Sequence, residues 1–286
     1  DSAGNEIVDG DVPLAYTDGA APIIKSVVYM DTNGNGDVDR IVVTYSETIT
    51  LDEYDADDWS VTAGSQDDLQ VAEESNAVAD GNMINLTVDW ADGVTGESGT
   101  EPQLTYDADG GTADSVNDGT NAAADYGPTA MTDGAVPVIT DAEWLDTNGN
   151  GNIDQVNLTF SEPVDVADGN AGDGLDSILV DDGAAVTIDN EDYAKSGVTW
   201  LLVNFSGDEI SGTGISGLSV TYDADGGDDI TDSAGNEIVD GDVPLAYTDG
   251  AAPVIESVVY MDTDGNGDVD RIVVTYSETI TLDEYD

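Results

Sequence analysis

The chain has 286 residues, of which 63 are Asp or Glu and four are Lys or Arg, a formal net charge of −59. With no basic patch to displace counterions from a phosphate backbone, nucleic acid is excluded as a partner. The absence of Cys and His removes disulfides, zinc, haem and thiol chemistry, and leaves carboxylates as the acid–base groups.

In chain order, apolar residues alternate with polar ones in short runs bounded by Gly, Pro, Asn and Asp, the pattern of half-buried strands. Strands are expected at 23–30, 40–46, 59–62, 69–72, 83–88 and 103–106. A second set follows at 138–145, 155–161, 178–180, 186–188, 198–205 and 218–222, with one more at 243–247. In the run 40–46, Ile41, Val43 and Tyr45 should face inward, with Arg40, Val42 and Thr44 outward. In 155–161 the inward set is Val156, Leu158 and Phe160, and the outward set Gln155, Asn157 and Thr159. Trp59, Trp90, Trp144 and Trp200 fall in the same alternation and are expected as packing groups. A disordered acidic tail would not carry this pattern, nor a hydrophobic content of 39%. There is no convincing helical period, and no apolar stretch approaches the length of a membrane-spanning helix.

Self-similarity sets the organisation. Residues 1–55 recur as 232–286 with three differences: Ile23 becomes Val254, Lys25 becomes Glu256 and Asn33 becomes Asp264. A diverged copy lies between, because the run that starts at Asp31 returns at Asp146 and again at Asp262. Gly and Pro punctuate the chain at Asp18, Asp133 and Asp249, each within a Thr-Asp-Gly-Ala signal. The expected domains are the end of one at 1–20, two complete ones at 21–134 and 135–250, and the beginning of another at 251–286. Since the chain begins and ends inside a repeat, anchors and export signals are expected to lie outside it. Short strands in units of roughly 100 residues give the expected fold class: all-β, tandem immunoglobulin-like β-sandwich domains.

The motif that carries chemistry is the loop Asp31-x-Asn33-x-Asn35-Gly36-x-x-Asp39, followed directly by a strand. Calcium takes six to eight oxygen ligands, and side chains at loop positions 1, 3, 5 and 9 with a backbone carbonyl at 7 can wrap one ion. The expected ligands are Asp31, Asn33, Asn35, Asp37 (carbonyl) and Asp39. The second copy offers Asp146, Asn148, Asn150, Asn152 (carbonyl) and Asp154; the third offers Asp262, Asp264, Asn266, Asp268 (carbonyl) and Asp270. Position 12 is Val42, Asn157 or Val273 where an EF-hand carries a bidentate Glu, and no helix follows. Remaining ligands come from elsewhere. Asp18, Asp133 and Asp249 before the loops, or Glu47, Glu162 and Glu278 after them, are the candidates. The competing reading is an Asn-Gly turn without metal. A second acidic run, at Tyr106–Gly111 and Tyr222–Gly227, reads as a solvated turn, with a second ion between Asp107 and Asp109, or Asp223 and Asp225, as the alternative. Asn85, Asn157 and Asn204 open matches to the glycosylation pattern.

The pairing of Asp-Thr-Asn-Gly-Asn-Gly-x-x-Asp with a strand ending Phe160-Ser161-Glu162-Pro163-Val164 resembles bacterial and archaeal Ig-like surface repeats, including those of S-layer proteins and adhesins. The ending Thr-Tyr-Asp…Asp-Ser-Ala-Gly-Asn is similar to the closing strand of the same repeats. The resemblance implies a secreted array of sandwiches at the cell surface. The expected function is a structural, non-enzymatic repeat of a long extracellular fibre, surface layer or stalk, rigidified by Ca2+ and adapted to high salt. Self-association into a fibre or array is the expected partnership. The alternative is an adhesin repeat that binds a glycan or protein through its loops, for which the insert at 165–176 is the candidate.

Overall fold

The computed structural model describes residues 17–51, 58–63, 66–69, 78–88, 102–108, 116–167, 175, 177–183, 186, 188, 195–205, 210–224 and 229–282. The protein is all-β, built from several sheets compatible with β-sandwich domains. By its contacts the chain forms two compact units: 1–28, 41–89 and 102–131 in the first, and 29–40, 90–101 and 132–286 in the second.

Strands β1 (Ile24–Met30), β2 (Arg40–Tyr45), β3 (Thr50–Leu51), β4 (Trp59–Ala63) and β5 (Gln66–Leu69) come first. They are followed by β6 (Val78–Asp80), β7 (Met83–Thr87), β8 (Gln103–Tyr106), β9 (Val116–Asn117) and β10 (Tyr126–Ala130). One sheet carries the order β1-β2-β7-β6, another the order β10-β8-β4-β5, and β3 pairs with β9. The facing of β2 is the expected one: Ile41, Val43 and Tyr45 are buried, and Arg40 is exposed. Ile84 and Leu86 of β7 and Leu104 and Tyr106 of β8 are also buried, so alternate positions of both sheets build a core. Trp59 lies against Tyr106 with ring centroids 4.6 Å apart. Burying side chains of this size contributes about 1.5–3 kcal/mol each, the main term holding such a unit together.

The second unit contains β11 (Thr132–Asp133), β12 (Ile139–Leu145), β13 (Asn152–Ile153), β14 (Gln155–Val166), β15 (Ile178–Asp181) and β16 (Lys195–Asn204). It continues with β17 (Ile210–Ser211), β18 (Ser219–Tyr222), β19 (Ile230–Thr231), β20 (Ala246–Asp249), β21 (Ile255–Met261) and β22 (Arg271–Tyr276). Its main sheet has the order β16-β14-β12-β20, with β19 also on β14. The β12–β20 pair is parallel, and β14 runs antiparallel to β12, β16 and β19. Trp144, Val156, Leu158, Ile139, Val203 and Tyr222 lie at the centre of the core, none with measurable exposure.

Several expectations are corrected. Strand β14 runs five residues past the expected 155–161, through an irregularity in its pairing with β16 between Thr159 and Val164. Pro163, which has no N–H to give a ladder, falls at that break. Gln155 is buried rather than outward, because it faces Asn204 across the sheet and donates its amide to it. Of 186–188, the described Ile188 makes only an isolated bridge to Phe205. The strand expected at 243–247 begins at Ala246. Trp59 and Trp144 are core groups as expected, but Trp200 is 57% exposed. Trp90 lies outside the described residues. No helix among the described residues is long and apolar enough to cross a membrane.

Candidate functional site

Each Asp/Asn/Gly loop joins two antiparallel strands: 31–39 links β1 to β2, 146–154 follows β12, and 262–270 links β21 to β22. The first Asp organises the turn from within. Asp31 accepts the N–H groups of Asn33 (3.1 Å) and Gly34 (2.8 Å) on Oδ1, and that of Gly36 (2.8 Å) on Oδ2. Asp146 accepts from Gly149, Asn150 and Gly151, and Asp262 from Gly265, Asn266 and Gly267. The last Asp closes the loop. Asp39, Asp154 and Asp270 each accept the N–H and the hydroxyl of the Thr at position 2. Position 5 caps position 7: Asn35 accepts from Asp37 N–H, Asn150 from Asn152 and Asn266 from Asp268.

The copies differ at position 3. Asn33 and Asn148 donate their amides to Asp39 and Asp154, so two of the loops bridge positions 3 and 9 by a hydrogen bond. Asp264 has no such donor, and the carboxylates of Asp262, Asp264 and Asp270 come within 4.8 Å of one another. The Gly267 N–H holds the Asp262 carboxyl below its ordinary range, and the Thr263 side chain does the same for Asp270. The Asp262 and Asp270 carboxyls therefore hold their charge to lower pH than an ordinary Asp. That donor set suits a hard cation and fits calcium.

The residues expected to complete the loops gather elsewhere. Asp18 and Glu47 lie with Asp118 in the first unit, and Asp133 and Glu162 lie with Asp232 in the second, all within 4.8 Å in each group. Among the described residues no such three-carboxylate group joins them to a loop. The two groups are built alike. Asp118 accepts the N–H groups of Thr120 and Asn121, and the Asn121 amide donates to Asp118 and to the Ala20 carbonyl. Asp232 accepts from Ala234 and Asn236, and the Asn236 amide donates to Asp232 and to the Asp133 carbonyl. The Asn121 amide is the largest influence lowering the Asp118 carboxyl below its ordinary range. In the second group Glu162 is only 6% exposed and Asp232 only 3%. Three carboxylates this close, two of them buried, cost electrostatic free energy unless a cation or a shared proton offsets it.

Asp118 and Asp232 are the residues that sequence reasoning missed. The signal was present as an Asp followed three or four residues later by an Asn, but the two spacings differ. Of the second acidic run, Asp107 and Asp223 continue the pairing of β8 with β4 and of β18 with β15 through hydrogen bonds from their N–H groups to the Asp58 and Ser177 carbonyls, while Asp109 and Asp225 lie outside the described residues. Asn85, Asn157 and Asn204 are strand residues, not loop residues. Most of the insert at 165–176 lies outside the described residues. No family model, curated protein or solved structure matches this chain.

Proposed function

We propose that the chain is a non-enzymatic structural repeat of a long extracellular fibre, surface layer or stalk, rigidified by calcium and adapted to high salt. The observation that carries this reading is recurrence. Homologous carboxylates gather in the same way at Asp18–Glu47–Asp118 and at Asp133–Glu162–Asp232, each group taking its first Asp from the boundary before a repeat and the other two from that repeat. A catalytic site has no reason to be duplicated with its surroundings, whereas a staple does. In a chain without Cys, bound calcium would take the place of disulfides. The loops at Asp31, Asp146 and Asp262 offer further oxygen ligands of the same hard type.

The test is calorimetric titration of the full chain with Ca2+ in molar NaCl, with Mg2+ as the comparison, followed by melting with and without chelator. Calcium at about a hundred times its dissociation constant should stabilise the fold by about 2.7 kcal/mol per site, and chelator should remove that gain. Glu162→Gln separates the two states. Without calcium it should stabilise the chain by about 1 kcal/mol, since one of three crowded charges is gone; with calcium it should weaken binding. Heat-free titrations and identical melting curves in calcium and chelator would remove the reading.

A further inference from the structure

The second glycine of the loop behaves differently from the first, although both have positive φ. Gly149 (φ 72°) has nothing within 4 Å of where a β-carbon would stand. Two residues on, a β-carbon on Gly151 (φ 91°) would lie 3.5 Å from Ser277 Cβ and 3.6 Å from Val254 Cβ. Val254 and Ser277 belong to the following repeat, which opens after Asp249. The contact extends to the segment that follows β17, the strand paired with β13 beside Gly151. Thr213, fully buried, places its hydroxyl 2.7 Å from Ser277 Oγ and donates to Glu278 Oε1 at 2.9 Å.

The same arrangement occurs one repeat earlier. Gly34 is open, whereas a β-carbon on Gly36 would stand 2.9 Å from Ser161 Cβ and 3.2 Å from Val138 Cγ2. All of these residues belong to the second unit. The Val–Ser corner that meets the glycine is built identically each time. Ser161 Oγ accepts the Val138 N–H at 3.0 Å and Ser277 Oγ the Val254 N–H at 2.9 Å, while the serine N–H donates back to the carbonyl of the same valine. In the third loop, Gly265 and Gly267 are both open among the described residues.

We infer that Gly36 and Gly151 are inter-repeat docking seats, whose partner is the Val–Ser corner of the repeat that follows in the chain. At Gly36 even a β-carbon would press on the corner, and at Gly151 a β-carbon would just touch it while a larger side chain would push into it, so the missing side chain lets the corner sit on the loop backbone. The seat is made by glycine, valine, serine and threonine contacts, so its test and that of the calcium reading fail separately.

The absence of native Cys makes a clean test available. In the full chain, Thr213→Cys with Ser277→Cys places a thiol pair across the contact, and disulfide formation under mild oxidant in chelator reports its occupancy. Gly151→Val should slow cross-linking at least tenfold, and Gly149→Val, which carries the same backbone strain in open space, should leave it near the parent rate. If the valine variant at 151 does not fold, Gly151→Asn against Gly149→Asn makes the same comparison, because Asn tolerates positive φ and reaches past the β-carbon. Equal rates for the substitutions at 149 and 151, or no cross-link in the parent pair, overturn the assignment.

Discussion

Tyr45 and Tyr222 are two buried phenols in unlike polar surroundings. The Tyr222 hydroxyl donates to Glu237 at 2.8 Å and accepts the Ile230 N–H at 3.3 Å. The Tyr45 hydroxyl has no hydrogen-bond partner among the described residues. Burial pushes both phenols above their ordinary range, so neither ionises in working conditions. Removing a hydroxyl that is already unsatisfied removes no bond, whereas removing one from Tyr222 strands a buried N–H. Tyr222→Phe should therefore cost ~1 kcal/mol in urea unfolding, and Tyr45→Phe should change stability by less than ~0.5 kcal/mol or raise it. Equal losses at the two positions would show that the hydroxyls share a setting the structure does not give them.

At the scale of the strand, one sequence occurs in two environments. Ile41 of β2 has no measurable exposure, while its counterpart Ile272 of β22 is 66% exposed. Ile41→Ala should cost about 2–5 kcal/mol through lost burial and a cavity. The identical change at Ile272 should stay within about 0.5 kcal/mol. Chemical denaturation of the two variants, with tryptophan fluorescence as the probe, checks the difference. This pair also explains what was legible in the sequence. Alternation sets which face of β2 is apolar, because side chains in a strand repeat every two residues, but it does not say what covers that face. Gln155 defeated the same logic because its partner, Asn204, lies on β16, far along the chain. In β16 the apolar run is continuous from Trp200 to Val203, so period two cannot assign a side, and Trp200 falls outward. Asp118 and Asp232 were illegible for a similar reason: their meaning arises only where the fold brings each beside an Asp and a Glu from other segments. The loops were the opposite case, since nearly all their hydrogen bonds are local and their residue types state the turn outright.

For the whole molecule the governing quantity is the charge of −59. At 10 mM salt the Debye length is about 30 Å, and carboxylates repel one another across an entire domain; at 1 M it is about 3 Å and the repulsion is confined to neighbours. Folding gathers these charges, so added salt should stabilise the compact state. The melting temperature in chelator should rise steadily between 10 mM and 1 M NaCl, with the steepest change at low salt. A flat profile would mean that the unfolded chain is as crowded with charge as the folded one.

The parallel pairing of β12 with β20 has a mechanical consequence. These are the strands by which the chain comes into the second repeat and leaves it, and they are in register at four positions, from Asp141 opposite Ala246 to Trp144 opposite Asp249. A pull on the two ends draws neighbouring parallel strands in opposite directions along their length. The load is then shared by the slanted hydrogen bonds of all four positions together, instead of falling on them one after another. Rupture under tension requires the ladder to shear as a block, which raises the force the repeat withstands without adding to its equilibrium stability.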